Sequence, residues 1–110
     1  MKKIENRQTT LVFALPDGSK MPPRKFGDLI KDCLNQIPQR GTLNTEEQLD
    51  RIRIMKLVKD QWDNPTFEFE NADFDVLFNC VENMSWGMVH EAIGEFIIHI
   101  REVNDSKEKK

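Results

Sequence analysis

Two histidines and two cysteines are the side chains of this sequence best suited to metal or nucleophilic chemistry, and both histidines fall in one stretch, ENMSWGMVHEAIGEFIIHI, residues 82–100. The stretch reads as a turn followed by an amphipathic helix. His90 and His99 are nine residues apart. At about 100° per residue that spacing places them on opposite sides of a helix, so they cannot ligate one ion from it. His99 has Glu95 one turn before it and Glu102 nearly one turn after. Such a setting could hold a protonated imidazole or supply half of an intermolecular site, but solvated helix pairing is the simpler reading. His90 lies beside the packing stripe, and Met84, Trp86 and Met88 look like apolar cover over a tight connection. The stretch is read as a corner and a packing face, not a catalytic centre.

Cys33 and Cys80 form no C-x-x-C motif and sit among apolar residues, where a thiolate is disfavoured. The opening MKKIENRQTT has basic residues but no apolar segment behind them, so it is not a secretory signal. Reduced, buried thiols and a cytoplasmic location are therefore expected. No apolar run approaches membrane-spanning length. Neither phosphate-binding glycine motif, G-x-x-x-x-G-K-[ST] or G-x-G-x-x-G, occurs. Asp73-Phe74-Asp75 lacks the glycine and the closing glutamate of a calcium loop and reads as helix N-terminal charge. With 19 Asp and Glu in the chain, any two can be paired on paper, and nothing raises one pair above another. No catalytic, cofactor or metal set emerges.

Charge is distributed unevenly. Residues 1–31 hold seven Lys and Arg against three Asp and Glu, whereas residues 60–100 hold nine carboxylates and no Lys or Arg. The plain reading is a solvated acidic surface. The sharper one is a footprint for a basic protein partner, or for the basic N-terminal part of a second copy, centred on Glu68, Glu70, Asp73 and Asp75. Such acidity counts against nucleic-acid binding, which needs positive charge over the phosphates. Lys20, Arg24 and Lys25 beside Pro22-Pro23 keep a nucleic-acid-binding regulator as an alternative.

The elements that must position these groups follow from periodicity. In TTLVFALPDGSKM, residues 9–21, apolar and β-branched residues lead into Pro16-Asp17-Gly18 and predict a β-hairpin. Pro22-Pro23 forbids a long return strand. Phe26, Leu29, Ile30, Cys33, Leu34 and Ile37 recur at helical spacing, with Pro38 and Gly41 as stops. Thr45-Glu46-Glu47-Gln48 matches a capping box ahead of a helix. Its stripe is Leu49, Ile52, Met55, Val58 and Trp62, widened by Ile54 and Leu57, with Glu47 and Arg51 spaced for an exposed pair. After Asp63-Asn64-Pro65, TFEFE alternates with Phe67 and Phe69 on one face; it is either a short strand able to pair with the hairpin or an extended linker. Asn71 is read as the N-cap of a helix bearing Phe74, Leu77, Phe78, Val81 and Met84. Val89, Ala92, Ile93, Phe96, Ile97, Ile100 and Val103 mark the last helix. Together these predict an α+β fold: a short N-terminal β-hairpin, to which a third short strand can add, packed on about four α-helices. Residues 1–103 form one domain, and 104–110 are expected to be a disordered charged tail.

Gly94 stands in the middle of the last helix, where glycine costs about 1 kcal/mol relative to alanine. Close approach of another backbone is a common reason to tolerate it, whether from the same chain or a second copy. Ile98 lies one turn on. With Ile54 and Leu57 on the central helix, these residues suggest more apolar surface than one small domain hides, hence a homo-oligomer.

The segments TEEQLDRIRIMKLV and FEFENADFDVL, with the late Trp86 before a final amphipathic helix, resemble small accessory proteins encoded by tailed bacteriophages. That resemblance implies a non-enzymatic protein that assists virion assembly or inhibits a host or defence protein, and it carries over no functional residues. The sequence thus leads to the expectation of a non-catalytic protein-interaction module acting as a small oligomer. A small-ligand binder or enzyme with a site between subunits is the other alternative.

Overall fold

The computed structural model describes residues 1–37 and 41–106. Strand β1 (Lys2–Glu5) is followed by helices α1 (Phe26–Asn35) and α2 (Thr45–Asp60), strand β2 (Thr66–Phe69), and helices α3 (Asn71–Glu82) and α4 (Glu91–Asp105). The fold is α+β, as expected. Its two named strands pair antiparallel, Lys2 opposite Phe69 and Glu5 opposite Thr66. The alternating TFEFE is therefore a strand, with Phe67 and Phe69 buried. Its ladder partner is β1, a segment with Ile4 as its one core side chain and too little periodicity to announce itself.

The hairpin expected over residues 9–21 is an irregular antiparallel arm rather than a ladder. Isolated bridges join Gln8 to Lys25 and Ala14 to Lys20. Between them Thr9 N–H donates to Arg24 O and Arg24 N–H to Leu11 O, both at 2.8 Å. Pro22 and Pro23 supply no ladder donors on the return, which keeps the pairing intermittent. The tip forms as its residues dictate: Asp17 Oδ1 accepts from Ser19 N–H (2.9 Å), and Gly18 takes a φ of +90°.

Helix α1 buries Phe26, Leu29, Ile30, Cys33 and Leu34 as its spacing predicts. It ends at Asn35, so Ile37 lies beyond the helix and is exposed, and the expected stop at Pro38 lies outside the described residues. Helix α2 begins one residue earlier in its cap than the sequence suggests. Asn44 is the N-cap: its side chain accepts from Glu47 N–H (2.9 Å), and the Glu47 carboxylate accepts from Asn44 N–H (3.3 Å). Asparagine caps as well as threonine does, and Glu47 stands three residues after it.

The face of α2 also differs from expectation. Ile54 and Val58 are its buried residues, whereas Leu49 and Ile52 are 55% and 40% exposed. Arg51 explains the rotation: its guanidinium donates to Leu34 O (3.0 Å) and Gln36 O (2.7 Å), carbonyls at the C-terminal end of α1. Glu47, Arg51, Ile54 and Val58 thus define the inward stripe at helical spacing. The Arg51 guanidinium turns inward to α1, not outward to an exposed i, i+4 pair. Apolar residues all round α2 leave its phase open, and the carbonyls of α1, which has no basic residue in its own last turn, fix it.

Helix α3 has Glu70, not Asn71, as N-cap and buries Phe74, Leu77, Cys80 and Val81. Helix α4 buries Ala92, Ile93, Phe96 and Ile100, while Val89 precedes it and is fully exposed. It runs to Asp105, so Asn104 and Asp105 of the expected tail are helical, and residues 107–110 lie outside the described ones. The core gathers around five buried phenylalanines: 26, 67, 69, 74 and 96. Phe26 meets Phe96 edge-on at 5.4 Å, joining α1 to α4.

Candidate functional site

The surface of α4 holds the arrangement that the sequence pointed to for self-association. Gly94 is exposed, and a Cβ built on it would meet nothing within 4 Å. Among the described residues, no backbone crosses there. Ile98, one turn on, is 58% exposed. Glu91, Glu95, Arg101 and Glu102 are also exposed on this helix, giving an apolar spot with a charged border. The other two residues expected to contribute lie on a different helix, turned toward the core. Ile54 is fully buried, and Leu57 is half-buried against the core, because Arg51 turns that side of α2 inward.

The acidic set is split. Asp73 is held by Arg53 of α2 (2.6 Å), which also bonds Asp50 (3.0 Å), and Glu68 lies 3.5 Å from Lys3 across the sheet. Glu82 of α3 pairs with Arg101 of α4 (2.8 Å). Three of the nine carboxylates are therefore answered by cations from outside the acidic segment. Glu70 and Asp75 are exposed and make no ion pair among the described residues. Of the basic residues beside Pro22-Pro23, Arg24 is committed inward. Its guanidinium pairs with Asp32 and sits 5.2 Å over the Phe13 ring.

A cleft of about 640 Å³ opens where the end of α1, the first half of α2 and the end of α3 meet. Cys33 and Cys80 both line it, under a rim that includes Asp50, Arg51, Asn79 and Glu82. Both thiols are buried and unbridged, as expected. Burial, with a smaller contribution from the neighbouring Cys80, pushes Cys33 up to about 12; burial also raises Cys80. Neutral thiols are poor nucleophiles and poor metal ligands. The rim charges have other work: Asp50 and Glu82 hold Arg53 and Arg101, and Arg51 caps α1. The cleft is polar where small-molecule pockets are mostly apolar with a few convergent polar groups. Among the described residues, no group of three or more His, Cys, Asp or Glu is placed to hold a metal ion, and no helix is long and apolar enough to cross a membrane.

The two histidines take structural roles that periodicity alone did not assign. His90 is the N-cap of α4, its Nδ1 accepting from Ala92 N–H (3.0 Å). His99 reaches β1, where its Nε2 accepts from Glu5 N–H (3.0 Å), and its ring lies 5.7 Å from that of Phe26. Burial lowers the His99 pKa, against the smaller upward pull of Glu5.

No known protein family, curated protein or solved structure matches this chain.

Proposed function

We propose that this chain is a non-catalytic, cytoplasmic protein-interaction module that works as a homo-oligomer, with a second copy seated on the outer face of α4. The open space over Gly94 carries the reading. A mid-helix glycine sacrifices about 1 kcal/mol against alanine, and nothing among the described residues uses the clearance it creates. A second α4 crossing at Gly94 would use it and would cover Ile98. The resemblance to phage accessory proteins leans the same way, toward assembly or inhibition of a host protein. Glu70 and Asp75, which hold no cation among the described residues, are the carboxylates we assign to a further, basic partner.

Light scattering on the wild-type protein at micromolar concentration tests the assembly, with a dimer or larger species expected. Ile98→Glu should then return a monomer of unchanged helicity, since a charge at the contact would be buried without a partner. A monomeric wild type would remove the proposal.

A further inference from the structure

The sheet has only two strands, so each exposes an edge, and an uncovered edge is a template for unwanted pairing. On each edge a side chain meets outward backbone groups. On β2, the Gln61 amide imitates a neighbouring strand: Glu68 N–H donates to Gln61 Oε1 (2.8 Å), and Gln61 Nε2 donates to Glu68 O (3.1 Å). Glu68 therefore turns its backbone away from β1. Its partner Lys3 must do the same on the far side, and so must Glu5 two residues on. The outward Glu5 N–H is the group that His99 Nε2 accepts.

We propose that His99 is a proton-operated cap on the outer edge of β1. When neutral it closes that edge by accepting from Glu5 N–H, and when protonated it releases it. The chemistry is obligatory. An accepting Nε2 carries no proton, which leaves the single ring proton on Nδ1, whereas both nitrogens of an imidazolium are donors. An imidazolium Nε2–H would face the Glu5 N–H, and the bond could not persist.

The surroundings tell where the ring would go. Glu5 and Arg7 approach from the strand side, with Arg7 already holding the Glu5 carboxylate (2.5 Å). Met1, Lys2, Lys3 and Glu102 share the adjoining cleft, Glu95 stands one turn back on α4, and α1 presents the ring of Phe26. Glu102, which shares that cleft with His99, is the carboxylate placed to receive the imidazolium. Release is local, because β1 stays pinned at both ends. Lys2 Nζ donates to Ser106 O (2.7 Å) and Val103 O (3.2 Å), and Asn6 N–H donates to Pro65 O (2.9 Å). Burial makes the folded protein bind this proton more weakly than the unfolded chain does. The cap is therefore intact above about pH 6.5 and fades as the pH falls below it.

Amide hydrogen exchange by NMR, corrected for intrinsic rates, tests the cap between about pH 8 and about pH 5. Protection at Glu5 should fall roughly tenfold as His99 titrates, the scale of one hydrogen bond. Glu68, whose cap does not titrate, should keep its protection and serves as the internal reference. His99→Gln offers a neutral acceptor and should leave Glu5 protected at both ends of the range. Constant protection at Glu5 through the His99 titration, or an equal fall in the glutamine variant, overturns the proposal. Should that variant not fold, imidazole nitrogen shifts in the wild type decide it: a protonated Nε2 at neutral pH rules the cap out.

Discussion

A Cβ added at Gly27 would come within 2.7 Å of Trp62 Cζ3 and 2.9 Å of Phe67 Cζ, and both atoms belong to rings held between α1 and β2. Gly27 N–H also donates to Asn6 Oδ1 (3.2 Å), whose amide in turn donates to Trp62 O (3.0 Å). Gly27→Ala should therefore destabilise the protein by about 1–3 kcal/mol through overpacking, read from the urea midpoint. Gly94→Ala should do the reverse. With open space around it, alanine restores helix propensity and adds about 0.5–1 kcal/mol to monomer stability while weakening association. If Gly94→Ala destabilised the monomer, the space would have some other use. Sequence alone marks Gly94, in mid-helix, as unusual. Nothing marks Gly27, because the two rings that need its absent Cβ come from residues 35 and 40 positions away. Cys33 gives a pH dependence at the same scale. Burial pushes its thiol up to about 12 from an ordinary value of 9.0, the value expected once the chain unfolds. The unfolded chain loses the proton first, so this contribution is complete below pH 9 and is lost as the pH rises toward 12. Denaturation midpoints above pH 9 should fall less steeply in Cys33→Ala than in wild type.

Helices were legible as elements, but not always in phase. The stripe of α1 is unambiguous because its polar residues stay on one side. On α2 the apolar residues surround the axis, and only the carbonyl oxygens of Leu34 and Gln36, drawing Arg51 inward, settle which face is buried. The strand in TFEFE was legible from alternation, whereas β1 was not, since a four-residue strand with one buried side chain leaves almost no period. Helix ends show a similar division. Helix α4 has no basic residue in its last turn, and the cation its carbonyls need comes from Lys2, at the other end of the chain. Lys2→Met should cost about 0.5–1 kcal/mol and speed amide exchange in the last turn of α4. Unchanged exchange there would show that Ser106 Oγ, which donates to Val103 O (2.7 Å), suffices as the cap. On α3, Asp73→Lys should lower stability more than Asp75→Lys does, because only Asp73 stands against Arg53. Equal losses would mean that Arg53 finds Asp50 an adequate substitute.

Over the whole molecule, the basic N-terminal part and the acidic segment partly answer one another within a single chain. β1 lies on β2 with Lys3 beside Glu68, and Lys2 closes α4, so the +4 and −9 read from the sequence overstate what a partner would meet. That bears on what would hold two copies together. An association between the basic arm of one copy and the acidic surface of another would rest on exposed charges. It would weaken as the Debye length shrinks from about 8 Å at physiological salt to about 3 Å at 1 M. A contact made by Ile98 over the space at Gly94 would instead rest on removal of apolar surface from water, which added salt does not screen. Sedimentation at the two ionic strengths separates these cases, and the α4 contact predicts an oligomer that persists at 1 M. Dissociation at high salt, with Ile98→Glu behaving like wild type, would move the interface from α4 to the arm and to the carboxylates Glu70 and Asp75.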